Sequence, residues 1–321
     1  MQLRTDSAFS RLSRPFWNLL SLPYKAVAYV NLKIKALRAH AFPGLFIVSV
    51  DALSFGGAGK TPMVMAIGAA LEKRNARFAV ISRGYRSRHE KMGIRVEPAH
   101  TCAEVGDEAV LLKSRFPGQD VFIGRERLRS IAAAAARNDR ILILDDGFQS
   151  SHIRKDFSVM LVNPDHPYFY LRHFRFLALR ADRVLTYRPA PGEQASRTYD
   201  FAITKFLDAD GREVGFPDAP LIAFSALGDN ERFAGDMRCF RLVAYHGFAD
   251  HHAYVPADIR FLEESRRRTG AAWMVCTEKD FCKIKPILPP GIPLLYARNE
   301  IKLHDDTIGR IIQHAAEKGF I

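Results

Sequence analysis

The segment that most restricts the fold is Gly56-Gly57-Ala58-Gly59-Lys60-Thr61-Pro62, which follows an apolar run at 45–50. A strand feeding a glycine-rich turn and then a helix lets backbone N–H groups curl around a phosphate, and the helix adds its positive N-terminal end. Lys60 would then reach the β- and γ-phosphates of a nucleotide, and the Thr61 hydroxyl would ligate Mg²⁺. Pro62 suits the first helical turn, where its missing N–H is not needed. Ser54 stands where the motif G-x-x-x-x-G-K-[ST] has its first glycine. The expected nucleotide-binding set is Gly56, Gly57, Ala58, Gly59, Lys60 and Thr61.

Around this loop the chain alternates short apolar runs with helical patterns. Strands are expected at 45–50, 78–82, 121–123, 141–144 and 158–162, with helices at 61–74, 107–115 and 126–137 between them. Further strands are expected at 183–187, 201–204, 221–224, 240–245, 273–276 and 294–297. Such alternation predicts an α/β fold with a doubly wound, mostly parallel sheet. The stretch RPAPGEQASR at 188–197 reads as a linker. The expected organisation is an amphipathic segment at 1–42, a P-loop domain at 43–187, a linker at 188–200 and a smaller α/β lobe at 201–321.

The net charge of +12 is unevenly spread: residues 1–41 carry seven Lys/Arg against one acid, Asp6. No RNP motif, zinc finger or helix-turn-helix pattern accompanies the charge, so nucleic acid is not the expected partner. The longest uncharged run there, 15–24, has ten residues and contains Pro23, too short for a membrane span. Phe16, Trp17, Leu19 and Leu20 among basic residues instead predict a helix lying on an anionic membrane surface. A basic helix packed on its own domain is the alternative. The four cysteines form no CxxC pair, which fits a reducing compartment without a zinc site or disulfide framework.

Four acidic clusters could carry chemistry beside the loop. Asp145-Asp146-Gly147 ends an apolar run 85 residues after Lys60, where a strand-end acid would hold the Mg²⁺ shell; an Asp-Gly turn is the alternative. Asp107 and Glu108 open a helix, which is ordinary dipole complementation or the base needed by an alcohol acceptor. Asp250-His251-His252-x-Tyr254 lies in a loop, where a carboxylate can set the charge and position of a histidine base; a metal site, which no further cluster supports, and a structural turn are the alternatives. Thr277-Glu278-Lys279-Asp280 is either a charged helix start or a functional loop.

In order, GGAGKTP (56–62), SRGY (82–85), GDE (106–108), DDGFQ (145–149), FADHHAY (248–254) and TEKD (277–280) make the chain resemble the tetraacyldisaccharide 4'-kinase family of lipid A synthesis. That resemblance covers almost the whole chain. It implies a P-loop fold in two α/β lobes at the cytoplasmic face of the bacterial inner membrane, as a peripheral or monotopic protein. It also implies transfer of the ATP γ-phosphoryl group to the 4'-hydroxyl of a tetraacylated disaccharide 1-phosphate. On this basis Lys60 and Thr61 serve ATP and Mg²⁺, and Asp107 is the catalytic base assisted by His251. Glu108, Asp145 and Asp146 lie close to the metal, and Arg83, Tyr85 and Gln149 face the lipid-sugar acceptor.

The sequence departs from the family pattern at definable places. Ser150 takes the place of a His, Lys155 replaces Arg in an Arg-Asp pair, and Asp51-Ala52 stands where an Asn is expected. An LPxGxLRE stretch is not recognisable, its place being taken by YFYLRHFRFLALRAD at 168–182, whose basic aromatic part, Arg172–Arg180, could instead contact the phosphorylated lipid. Two other functions therefore stay open: a divergent relative acting on another lipid-linked sugar, and a nucleotide-switched ATPase or GTPase. The latter lacks a guanine-specifying N-K-x-D.

Overall fold

The computed structural model describes residues 8–54, 57–164, 166, 171–188 and 197–321. In chain order the elements are α1 (Ala8–Ala36), β1 (Phe46–Ala52), α2 (Lys60–Glu72), β2 (Phe78–Ser82), β3 (Ile94–Arg95), α3 (Cys102–Val105), α4 (Asp107–Arg115), β4 (Asp120–Ile123), α5 (Arg127–Ala135), β5 (Ile141–Asp145), β6 (Phe157–Val162) and β7 (Arg183–Tyr187). They continue as β8 (Thr198–Asp208), β9 (Glu213–Val214), β10 (Leu221–Ser225), α6 (Asn230–Met237), β11 (Leu242–Gly247), α7 (Pro256–Thr269), β12 (Trp273–Thr277), α8 (Glu278–Ile284), β13 (Leu294–Leu303) and α9 (Thr307–Glu317). The parallel α/β architecture expected from the alternation is present. Most of the expected 188–197 linker lies outside the described residues.

Two compact units are interleaved along the chain rather than placed end to end. One comprises residues 1–80, 131–200 and 303–321, and the other residues 81–130 and 201–302. In the first, parallel strands run in the order β5-β1-β6-β7-β8. All seven residues of β1 and all five of β5 are buried, as expected of central parallel strands covered on both faces. Helix α2 packs on β1 and β5 and is itself met by α9.

The second unit has the parallel order β11-β10-β12-β13. Its side chains divide with the two-residue period of the strand. Ile222, Phe224, Met274, Cys276, Leu294 and Tyr296 pack with Ile259 and Leu262 of α7 and Phe281 and Ile284 of α8. The intervening Leu221, Ala223, Val275, Leu295 and Ala297 pack with Phe233 and Met237 of α6. Helix α7 has Pro256 in its first turn, three arginines in its last and Gly270 at φ 67° as its cap, each favourable at that place.

Helix α1 belongs to the first unit and continues through Pro15 and Pro23. Phe16, Leu19, Leu20, Val27, Val30 and Ile34 are exposed and recur at helical spacing, so they form one apolar stripe. Leu32 is buried, and Tyr29 meets the rings of Phe174 and Phe176. No helix among the described residues is long and apolar enough to cross a membrane.

Candidate active site

In the first unit, β1 delivers the chain into the phosphate loop. Gly57 and Gly59 have φ of 68° and 85°, left-handed values that glycine adopts without strain. The carbonyl of Ala58 accepts a hydrogen bond of 2.8 Å from the buried Tyr199 hydroxyl. Ser54, in place of the motif's first glycine, is hydrogen-bonded through Oγ to His166 Nδ1 at 2.7 Å. A side chain is thus accommodated there. Gly56 lies outside the described residues. Lys60 and Thr61 open α2, both half-buried, and Lys60 Nζ lies 3.9 Å from Asp146 Oδ1.

Asp145 is the buried last residue of β5, and Asp146 follows at φ 60°. Arg172 donates to both Asp146 oxygens, at 2.8 and 2.7 Å. Arg172, which the sequence reading grouped with a lipid-contacting stretch, therefore faces a carboxylate. Gln149 is half-buried just beyond this turn. Asp51 is buried at the end of β1; burial and the Asp146 charge push its carboxyl up to about 6.

The second unit holds the other acids. Gly106, at φ 92°, begins α4, and a Cβ there would lie 3.4 Å from the Gly84 backbone. That approach brings the SRGY turn beside Asp107. Asp107 Oδ2 is 2.9 Å from His251 Nδ1 and 3.3 Å from Lys279 Nζ, while Lys279 is 3.7 Å from Glu108. Burial works against the Asp107 charge, but the His251 hydrogen bond and the Lys279 ammonium outweigh it and hold Asp107 well below the usual carboxylate range. For Lys279 burial is likewise outweighed by Glu108 and Asp107, and its ammonium is held above the ordinary lysine value. Tyr85 is half-exposed with its ring 6.2 Å from that of His251, and the guanidinium of Arg83 lies 5.4 Å from the Tyr85 ring.

The structure thus joins Lys60 with Asp146 in one unit; in the other, Lys279 lies by Asp107 and Glu108, His251 by Asp107, Tyr85 by His251 and Arg83 by Tyr85. Sequence reading missed the role of Lys279, although the TEKD string contained it, and gave no sign of Tyr199 or His166. Among the described residues no three His, Cys, Asp or Glu side chains gather as a metal cage. Mg²⁺ rarely needs one, since it takes one or two carboxylates together with substrate phosphates and water. The hard oxygen donors of Thr61, Asp145 and Asp146 fit that ion.

A family model described as LpxK, tetraacyldisaccharide-1-P 4'-kinase, matches residues 14–317. The chain belongs to that family. Tetraacyldisaccharide 4'-kinases of Nitrobacter winogradskyi and Methylobacterium nodulans are 30% and 31% identical to it. The first comparison covers 88% of this chain and 85% of the relative, the second 78% and 80%. LpxK from Aquifex aeolicus, whose crystal structure is described as an "apo" form in complex with ATP, aligns with a TM-score of 0.74. That alignment spans 94% of this chain and 98% of the other at 23% identity, and it is a likeness of fold. As a 4'-kinase family member the chain is a phosphotransferase.

Proposed function

We propose that the chain transfers the γ-phosphoryl group of ATP to the 4'-hydroxyl of a tetraacyldisaccharide 1-phosphate at a membrane surface. The hydrogen bond between Asp107 and His251 carries this reading. An alcohol acceptor must lose a proton as it attacks phosphorus, whereas a nucleotide-switched binding protein has no acceptor alcohol to deprotonate. Lys60 and the loop N–H groups neutralise and orient the phosphates, which is most of what phosphoryl transfer asks of a protein. Thr61, Asp145 and Asp146 would hold Mg²⁺, which would supply positive charge to offset the charge that develops during transfer.

The acceptor proton passes to the Asp107–His251 pair. Because Asp107 is held strongly ionised, it is a weak proton acceptor alone, and the imidazole shares the task. Lys279 keeps Asp107 charged, and Arg83 and Tyr85 supply a cation and a ring for the phosphorylated sugar. Glu108 is assigned to the metal and Gln149 to the acceptor through the family likeness.

The test is direct. Purified protein, ATP labelled at the γ-phosphate and the acylated disaccharide 1-phosphate should yield labelled lipid, and a 4'-deoxy acceptor should yield none. ATP hydrolysis stimulated by lipid without label transfer would favour a nucleotide switch. The exposed stripe of α1 gives the membrane part of the reading. Burying two such side chains in the acyl boundary contributes roughly 1.5–3 kcal/mol each at full burial. The Leu20→Glu/Val30→Glu variant should therefore bind phosphatidylglycerol vesicles about 10²–10⁴-fold more weakly in a sedimentation assay, with Tm unchanged because both positions are exposed. Equal binding would reject α1 as the membrane contact.

A further inference from the structure

We propose that Asp51 is a positioning residue for the acidic turn: from the end of β1 its carboxylate holds the segment 145–148 and fixes where Asp146 is presented. The inference rests on the reading of Asp145 and Asp146 as Mg²⁺ ligands.

The turn needs such a hold. Asp146 is left-handed at φ 60°, a conformation that a residue with a Cβ keeps when its surroundings impose it. On one flank Asp146 N–H donates to the Val50 carbonyl at 2.9 Å. On the other, Phe148 N–H donates to Asp51 Oδ1. Between them Gly147 lies so close to β1 that a Cβ would come 2.6 Å from Ser49 Oγ. That hydroxyl is itself fixed, donating to Asp51 Oδ2. One carboxylate, with 1% of its residue exposed, thus fixes the turn's far end and the serine that touches its middle.

A buried carboxylate also needs compensation. Lys155 provides it, since its charge favours the ionised Asp51, and its ammonium donates to the Ser150 carbonyl at 2.9 Å. Asp51, Ser150 and Lys155 form one linked set around the segment 145–150. β1 continues from Asp51 into the phosphate loop, so the same residue ties the nucleotide-binding strand to the acidic turn.

The experiment measures Mn²⁺ binding by electron paramagnetic resonance with a non-hydrolysable ATP analogue present, alongside the Mg²⁺ dependence of phosphoryl transfer. Residues that orient ligands alter metal affinity by about 10–100-fold when lost. Asp51→Ala should raise the Mn²⁺ Kd and the apparent KM for Mg²⁺ by that factor, leaving metal-free analogue binding unchanged. Asp51→Asn keeps an acceptor for Phe148 N–H and should restore most of the affinity. Should Asp51→Ala unfold, Asp51→Ala/Lys155→Met removes the stranded lysine charge and carries the same expectation. Wild-type Mn²⁺ binding in the folded alanine variants, with Asp146→Asn impaired, would overturn the positioning role. Wild-type binding in Asp146→Asn as well would instead overturn the assignment of the metal ligands.

Discussion

Lys60→Ala is expected to lower kcat for phosphoryl transfer by roughly 10³-fold or more, the scale of losing a charged group that stabilises the transferring phosphoryl. Lys60 stands at the first position of α2 with its side chain largely buried, 3.9 Å from Asp146. Arg172 in the same unit is not available to substitute for it, because it is bound to both oxygens of Asp146. The substitution also leaves β1 and the loop backbone intact, so circular dichroism and Tm should match the parent protein. Lys60→Arg should recover little, since a planar fork does not reproduce a compact ammonium at the end of a flexible stem. Label transfer from γ-labelled ATP measures the effect. Turnover near that of the parent would remove the phosphate loop from the mechanism.

The second large effect is expected at Asp107. Asp107→Ala should reduce kcat by about 10²–10⁴-fold, the usual contribution of a positioned acid–base group. The KM for ATP should change little, because the proposed role of Asp107 is toward the acceptor hydroxyl rather than the nucleotide phosphates. Its partner gives a sharper test. Asp107 and His251 share a hydrogen bond of 2.9 Å, so they should act as a unit, and the double alanine variant should be scarcely worse than the more damaged single one. Additive losses would mean that the two residues serve separate steps. A rise in the KM for ATP without loss of kcat would mean that Asp107 binds nucleotide rather than activating the acceptor.

Strands whose both faces are buried were legible in the sequence. β1 and β5 appear as unbroken apolar runs because parallel strands between helices have no solvent face, and their expected positions agree within two residues with the observed ones. Helix α4 was legible to the residue, since the acids at its start and the bases at its end match the helix dipole. β8 was harder. It spans Thr198–Asp208 rather than 201–204, because exposed Ala202 and Thr204 alternate with less exposed neighbours and dilute the apolar signal. β11 begins at Leu242 rather than Phe240, which instead packs edge-on against Phe206.

The site was legible where the chemistry is local and opaque where it depends on return of the chain. Gly59, Lys60 and Thr61 are contiguous, so their spacing is their geometry. Arg172 reaches Asp146 across 26 residues and Lys279 reaches Asp107 across far more; no periodicity encodes either meeting. No motif marks Asp51. Only the hydrogen bonds of its two oxygens show that it ties β1 to the acidic turn.

The interleaving has a consequence for biosynthesis. The unit that carries the phosphate loop needs α9: Phe46 of β1 is covered by His314 and Phe320, and Lys318 pairs with Asp156 at 2.5 Å. The other unit ends at residue 302. The phosphate-loop unit is therefore the last to be complete in sequence, and a chain stopped before α9 would leave Phe46 of β1 without its cover.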